Sequence, residues 1–113
     1  MNRTSLIKGH LEMCVLSILS TKKSYGYEIM KELENHRLQL KGVGSIYPIL
    51  TKLKESELVE DSRELTESGK MRVYYEITDR GRKVLRQKID EWLELQKDIR
   101  SLLESGSEGE GAE

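Results

Sequence analysis

The sequence is poor in the residues that build covalent or metal-held scaffolds. Its 113 residues include one cysteine, Cys14, and two histidines, His10 and His36. A lone cysteine cannot form an internal disulfide, and neither histidine has a cysteine, a second histidine or paired carboxylates at metal-ligand spacing. We therefore expect no disulfide framework, no metal site and no cofactor.

Long apolar runs and recognisable catalytic motifs are also missing. The longest uncharged apolar stretch lies around residues 13–18, far short of the roughly 20 residues that cross a bilayer. The N-terminus has no secretion-signal layout, so we expect a cytoplasmic protein without membrane association. No nucleophile is paired with a base in a known motif. Enzymatic activity is therefore not expected.

Charge is what the chain has in abundance. Charged residues make up 35% and hydrophobic residues 36% of the sequence, which is typical of one small domain with a thin core. The net charge of −1 is unevenly distributed, because residues 104–113 hold four glutamates and no base. The remainder has 19 basic and 16 acidic residues, a net charge of +3. Such a body permits nucleic-acid binding without requiring it.

Hydrophobic periodicity predicts three short helices in the first half of the chain. Apolar residues recur at steps of three and four over residues 5–20, which predicts the first helix. Ser24 is the predicted cap of a second helix that ends near His36. After a glycine-containing loop, Ser45 is the predicted cap of a third helix, with Pro48 in its first turn.

A hairpin and a long helix are predicted in the second half. Residues 58–63 and 71–77 read as strands joined by a polar connection with a Ser-Gly turn signal. In the second strand Met71 should face inward, and Arg72 and Tyr74 outward. A fourth helix, capped by Thr78, should run for about 25 residues, roughly 38 Å. In a monomer half of its apolar stripe would stay in water, so it needs a partner helix.

Helix, helix, helix, hairpin, helix is the order of a winged helix-turn-helix. In that fold the third helix enters the DNA major groove and the hairpin contacts the backbone beside it. We therefore expect a mainly α fold with a small β-hairpin. Residues 1–78 would form the winged helix DNA-binding domain, residues 79–104 a long C-terminal dimerisation helix, and residues 105–113 a disordered acidic tail.

Three motifs carry a family resemblance. They are YGYEI at residues 25–29, GSIYPIL at residues 44–50 and RVYYEITDRG at residues 72–81. In this order and spacing they resemble the PadR family of bacterial transcription regulators, over about residues 5–103. The resemblance implies a homodimeric winged-helix repressor that a small molecule or partner signal releases from its operator. The short form is similar to the subgroup containing regulators of multidrug transporters.

The predicted DNA-binding residues lie on the third helix, on the start of the second helix and on the hairpin. A hydroxyl and free amides at a helix N-terminus can hold a phosphate, and outward lysines can reach guanine edges or phosphates. The alternatives are capping for the serine, core packing for the tyrosines and a solvated face for the lysines. The predicted set is Tyr25, Tyr27, Gly44, Ser45, Tyr47, Thr51, Lys52, Lys54, Arg63, Lys70 and Arg72.

The only tryptophan, Trp92, falls midway along the long helix. It either anchors a partner helix or lines, with its dimer mate, an apolar cavity for a planar aromatic or cationic small molecule. The second interpretation is favoured by the resemblance, because Trp92 is similar to the tryptophan of the drug-binding PadR members. Glu12 and Gln96 would then supply polar contacts to the ligand. The predicted dimer interface is Leu6, Leu11, Leu85, Ile89, Trp92, Leu95, Ile99 and Leu102.

Two functions remain open from the sequence. The leading prediction is a sequence-specific repressor that binds a pseudo-palindromic double-stranded DNA operator as a homodimer and is released by a small aromatic ligand. The alternative is a winged-helix protein–protein interaction module without DNA binding. Salt dependence separates them, because a protein that neutralises several phosphates loses affinity steeply as salt rises.

Overall fold

The structure, a computed structural model, describes the backbone of residues 7–112 and the side chains of residues 7–106. The elements are a 3-10 turn at Lys8–His10, helix α1 at Leu11–Thr21, strand β1 at Ser24–Tyr25, helix α2 at Gly26–Asn35, a second 3-10 turn at Val43–Ser45, helix α3 at Tyr47–Glu55, strands β2 at Val59–Leu65 and β3 at Met71–Ile77, and helix α4 at Asp79–Ala112. This order confirms the predicted fold, mainly helical with a small sheet.

The sheet is antiparallel, with strand order β1-β3-β2. The hairpin pairs β2 with β3 from Val59↔Ile77 at its base to Leu65↔Met71 at its tip. Strand β1 was not predicted, because a segment of two residues is too short to show alternation. Its pairing with Tyr74 and Tyr75 of β3 joins the hairpin, which we call the wing, to the start of α2.

The core lies between the three short helices, the base of the wing and the first turns of α4. Its buried side chains are Val15, Leu16, Leu19, Ile29, Leu33, Ile46, Leu50, Leu53, Leu58, Val59, Ile77 and Leu85. Two residues of the predicted dimer interface, Leu11 and Leu85, are already buried within the single chain. Helix α4 packs on α1, and Arg82 Nη1 donates to the Ser20 carbonyl at 3.3 Å.

The caps of α2 and α3 differ from the prediction. Ser24 does not cap α2, because it is a buried residue of β1. The Tyr25 N–H at the start of α2 instead donates to Glu28 Oε1 at 3.2 Å. Ser45 does not cap α3 either. It lies in the 3-10 turn, and the N-cap position belongs to Ile46, whose N–H donates to the Val43 carbonyl.

Two other helix-start predictions are confirmed. Pro48 lies in the first turn of α3, where its missing N–H leaves no backbone partner unsatisfied. Thr78 caps α4, because its Oγ1 accepts the Gly81 N–H at 2.9 Å while its hydroxyl donates to the Glu57 carbonyl at 2.8 Å. One threonine therefore both starts α4 and ties it to the turn before the wing.

Helix α4 is longer than the periodicity predicts. The apolar pattern ends near residue 103, whereas the helical backbone continues to Ala112, through part of the segment predicted to be a disordered tail. Adding residues to an existing helix avoids the cost of nucleation, which permits this extension. The molecule is consequently elongated, with extents of 68 × 28 × 20 Å. No helix among the described residues has the length and apolarity to cross a bilayer.

Candidate functional site

Helix α3 buries one face and exposes the other. Ile46 before it and Leu50 and Leu53 within it are buried, which turns the opposite face outward at a helical period of 3.6 residues. That face carries the three residues predicted to read bases. Thr51, Lys52 and Lys54 are all exposed, so their side chains are available to a ligand in front of the helix.

The two lysines of α3 point to opposite flanks of the helix. They are two positions apart, so their side chains leave the axis about 200° from each other. Lys52 Nζ lies 3.5 Å from Glu12 Oε2 on α1, and Lys54 Nζ lies 2.9 Å from Asp61 Oδ2 on the wing. Each lysine would therefore exchange a carboxylate for a phosphate or base if it contacted DNA.

The phenol of Tyr47 lies against the start of α2. A Cβ atom placed on Gly26 would come within 2.9 Å of Tyr47 Oη and 3.0 Å of Cζ, so the glycine leaves room for the ring. Tyr47 is nevertheless 46% exposed and is not a core residue. The phenol therefore reaches the surface where the N-termini of α2 and α3 meet.

An aromatic cluster joins α2 to the wing. The Tyr25 ring stacks beside Tyr27, with centroids 6.3 Å apart, and meets Tyr74 edge-on at 5.4 Å. The Arg72 guanidinium lies 4.4 Å from the Tyr25 ring centre. Arg72 and Tyr74 were predicted to face outward, but both are half-buried. The sequence gives no sign of this, because the contact depends on the β1–β3 pairing that the periodicity does not reveal.

An ion pair fixes the wing from the same side. Lys23 Nζ lies 2.7 Å from Glu64 Oε2, and this hydrogen bond and the negative charge of Glu64 raise the pKa of Lys23. The Lys23 ammonium also lies 5.7 Å from the centre of the Tyr74 ring. Neither Lys23 nor Tyr74 was in the predicted set, yet both help to hold the wing beside α2.

The tip of the wing is exposed on both strands. Arg63 and Lys70 are exposed there, and neither forms an ion pair with another described residue. Leu65 and Met71 face each other across the strands and are 69% and 60% exposed. The prediction that Met71 faces inward is wrong, because the hairpin extends past the core at this point.

Trp92 lines three cavities on the surface of the described residues. One, of about 180 Å³, is lined by Trp92, Glu12, Lys88 and Glu91, among others. A more apolar one, of about 380 Å³, is lined by Ile7, His10, Met13, Cys14, Leu38, Gln39 and Trp92. Burial raises the pKa of the Cys14 thiol there. The structure thus brings Glu12 to Trp92, whereas Gln96 lines none of the three cavities.

No metal site is formed by the part of the chain that the structure describes. That part holds no group of three histidine, cysteine, aspartate or glutamate side chains able to share an ion. His36 Nε2 lies 3.1 Å from Glu32 Oε1 one turn earlier on α2. His10 helps to line the apolar cavity beside Trp92.

The C-terminal half of α4 exposes apolar side chains. Among the predicted dimer residues, Leu95, Ile99 and Leu102 are 53%, 47% and 72% exposed, whereas Ile89 and Trp92 are half-buried. Leu93 and Leu103 add further exposed apolar surface. Leu6, the remaining predicted interface residue, lies outside the described residues.

The chain matches a known family of proteins and several solved structures. The Transcriptional regulator PadR-like family matches residues 15–87. The chain is similar to a PadR-like transcriptional regulator of Bacillus cereus, with 34% identity, coverage of 88% of this chain and 96% of that one, and a TM-score of 0.78. A PadR family regulator of Eggerthella lenta shows 33% identity, coverages of 88% and 86%, and a TM-score of 0.80. An uncharacterised protein of Lysinibacillus sphaericus is 33% identical over 96% of this chain and all of its own length.

Proposed function

Because the chain belongs to the PadR-like family of transcriptional regulators, we propose that it is a repressor that binds a pseudo-palindromic operator as a homodimer. Members of this family regulate transcription by binding DNA and are not enzymes. The exposed face of α3, with Thr51 between two flanking lysines, is the observation that carries the proposal. A regulator of this kind works in the bacterial cytoplasm, where we place it.

The geometry suits an α-helix in a major groove. That groove is about 12 Å wide and admits one helix. With α3 in the groove, Thr51 can contact a thymine methyl and the lysines can reach bases or phosphates. Tyr47 at the N-terminus of α3 would bind a phosphate, and Arg63 and Lys70 on the wing would contact the neighbouring backbone. Phosphate contacts would position the protein and α3 would read the sequence.

Dimerisation is supported by the apolar surface of α4. Exposed leucine and isoleucine side chains along the outer half of a helix that projects from the body would be covered by the same helix of a second copy. A two-fold dimer presents two reading helices to half-sites about 34–36 Å apart, one turn of DNA. The palindromic symmetry of the operator follows from that of the protein.

Release by a small molecule is supported by the surroundings of Trp92. Trp92 lines an apolar cavity and also a smaller cavity that is lined by Glu12. A planar aromatic cation could stack on the indole and pair with the carboxylate. Because Trp92 lies at the start of the proposed dimer seam, a ligand there would alter the spacing of the two α3 helices.

Selection of bound fragments from the host genome tests the proposed function. The full chain is incubated with sheared genomic DNA, and retained fragments are sequenced after washing at increasing salt. We expect one or a few fragments that share an inverted repeat, with affinity falling at least about a hundredfold between about 50 and 200 mM salt. Uniform retention of all fragments, or none, would contradict sequence-specific binding and favour the protein-interaction alternative.

A further inference from the structure

A groove with three lysines runs along the flank of α3 that faces away from the wing. It has a volume of about 650 Å³ and lies between the start of α1, the loop before α3 and α3 itself. Lys8, Lys41 and Lys52 line it, together with a single acid, Glu12. We call this surface the lysine groove. Lys8 and Lys41 were not among the predicted DNA-binding residues; the structure places Lys8 in the 3-10 turn before α1 and Lys41 in the loop before α3.

The charges in the lysine groove are only partly neutralised. The three lysines are exposed, and the one acid gives the groove a charge of +2. Glu12 pairs with Lys52 at 3.5 Å, whereas Lys8 and Lys41 have no ion pair among the described residues. Cations gathered in a concave surface attract a polyanion more strongly than isolated ones do, because their potentials add.

The position of the groove complements that of the wing. Lys54 forms an ion pair with Asp61 of the wing. Lys52, on the opposite flank of α3, lines the lysine groove. A helix is about 10–12 Å across, so in a groove about 12 Å wide its two flanks lie beside the two phosphate backbones. With the wing on one backbone, the lysine groove lies nearest the other.

We propose that the lysine groove binds backbone phosphates of the second DNA strand. In the absence of DNA, Glu12 forms an ion pair with Lys52, and a DNA phosphate replaces Glu12 in that pair. This inference rests on the proposed DNA binding by α3. Lys8 and Lys41 can contact phosphates directly. Lys52 is now paired with Glu12, but this ion pair is exposed and therefore weak. Each protomer would then hold both walls of the major groove.

The salt dependence of binding to a mixed-sequence duplex tests this role, because phosphate contacts do not need the operator. The full chain and its Lys8→Ala/Lys41→Ala variant are titrated into a fluorescein-labelled duplex of about 30 base pairs, by anisotropy, over roughly 25–200 mM KCl. We expect the log–log slope to become shallower by about 2 per bound protomer, and the low-salt affinity to fall about tenfold.

A matched control removes the same charge elsewhere. Lys83→Ala/Lys97→Ala deletes two exposed lysines from the face of α4 opposite its apolar stripe, and its slope should equal that of the wild type. If the lysine-groove variant behaves like this control, while melting like the wild type, the inference is overturned and DNA binding by α3 stands. If the wild type itself shows no salt-dependent binding, the proposed function fails with it.

The role of Glu12 has a test of opposite sign. Glu12→Gln keeps the size of the side chain and removes the charge that competes for Lys52. We expect affinity for the same duplex to rise about two- to fivefold, in keeping with the weakness of an exposed pair. An unchanged or lower affinity would overturn the displacement step. A rise that persists in a Lys52→Ala background would also overturn it, because the competition would then not involve Lys52.

Discussion

Two glycines show how the absence of a side chain fixes the candidate site. Gly26 allows the Tyr47 phenol to approach the start of α2, and Gly81 allows α4 to begin against the chain before the wing. A Cβ atom added at either glycine would clash with a neighbouring atom, but the two neighbouring atoms differ in how easily they can move. The Tyr47 hydroxyl is the end of a half-exposed side chain, whereas the Leu58 carbonyl beside Gly81 is backbone.

Gly26→Ala should therefore impair DNA binding more than folding. The new methyl group would push the Tyr47 phenol outward, which costs little where the ring can turn into solvent. We expect the free energy of unfolding to change by less than about 1 kcal/mol, while duplex affinity falls severalfold. Urea unfolding and duplex titration measure the two effects.

Tyr47→Phe separates a displaced hydroxyl from a general disturbance of α2. If the phenol oxygen contacts a phosphate, the losses of affinity in Gly26→Ala and Tyr47→Phe have one cause, and the double variant should lose little more than either single one. Fully additive losses would show that Gly26 acts on DNA binding by another route.

Gly81→Ala should destabilise the whole fold. A Cβ there would overlap the Leu58 carbonyl oxygen and crowd Ile77, and neither the backbone nor the sheet can yield without breaking contacts. We expect a loss of about 1–3 kcal/mol in the free energy of unfolding. Gly106→Ala, also on α4 but with open space around it, should be neutral or stabilise by up to about 1 kcal/mol. Equal stabilities for the two variants would contradict this account.

The elements that the sequence predicts well are those whose apolar residues repeat over several turns. Helices α2 and α3 and the long strand β3 lie where the periodicity places them, because burial of one face sets both the pattern and the packing. Helix α1 ends as predicted but begins only at Leu11, after a 3-10 turn, instead of near residue 5. The predictions that Ser24 and Ser45 cap helices were wrong. A serine before an apolar run is equally compatible with a helix cap, a strand and a 3-10 turn. Such choices depend on contacts with β3 and Val43 that no local pattern contains.

Arg72 should contribute to stability as a link between the wing and α2. Its guanidinium lies over the Tyr25 ring, and a partly desolvated cation–π contact contributes about 0.5–2 kcal/mol. Arg72→Ala should lower the free energy of unfolding by an amount in that range, as measured in urea. Arg63→Ala removes an exposed arginine from the paired strand and should change it by less than about 0.5 kcal/mol. Similar losses in both would show that the ring contact adds nothing.

At the scale of the whole molecule, the sequence predicts single sites but not their connections. Glu12 was predicted as a ligand contact and Lys52 as a DNA contact, and the structure shows them as one ion pair between residues 40 positions apart. A further connection is that Glu12 borders both the Trp92 cavity and the lysine groove. Periodicity assigns residues to faces, but only the packing of α1 on α3 and α4 determines which faces meet.

Ligand binding beside Trp92 should depend on Glu12 and not on Gln96. Trp92 is the only tryptophan, so its fluorescence reports directly on a planar aromatic cation such as rhodamine 6G. We expect quenching that saturates, an affinity about fivefold lower in Glu12→Gln through loss of the ion pair, and no change in Gln96→Ala, because Gln96 lines neither cavity. Unquenched fluorescence, or equal effects of the two variants, would contradict the proposed site.

The dimer seam should be the outer half of α4 and not its whole length. Leu85 is already buried within one chain, whereas Ile99 and Leu102 are exposed, so only the outer residues gain by pairing. Ile99→Asp and Leu102→Asp would each place a charge in the seam and should raise the dimer dissociation constant at least about a hundredfold. Ser101→Asp adds the same charge on the opposite face of the helix and should leave the dimer intact. Light scattering at micromolar concentration measures the molar mass of each variant. If the wild type has the mass of a single chain, the homodimer is refuted.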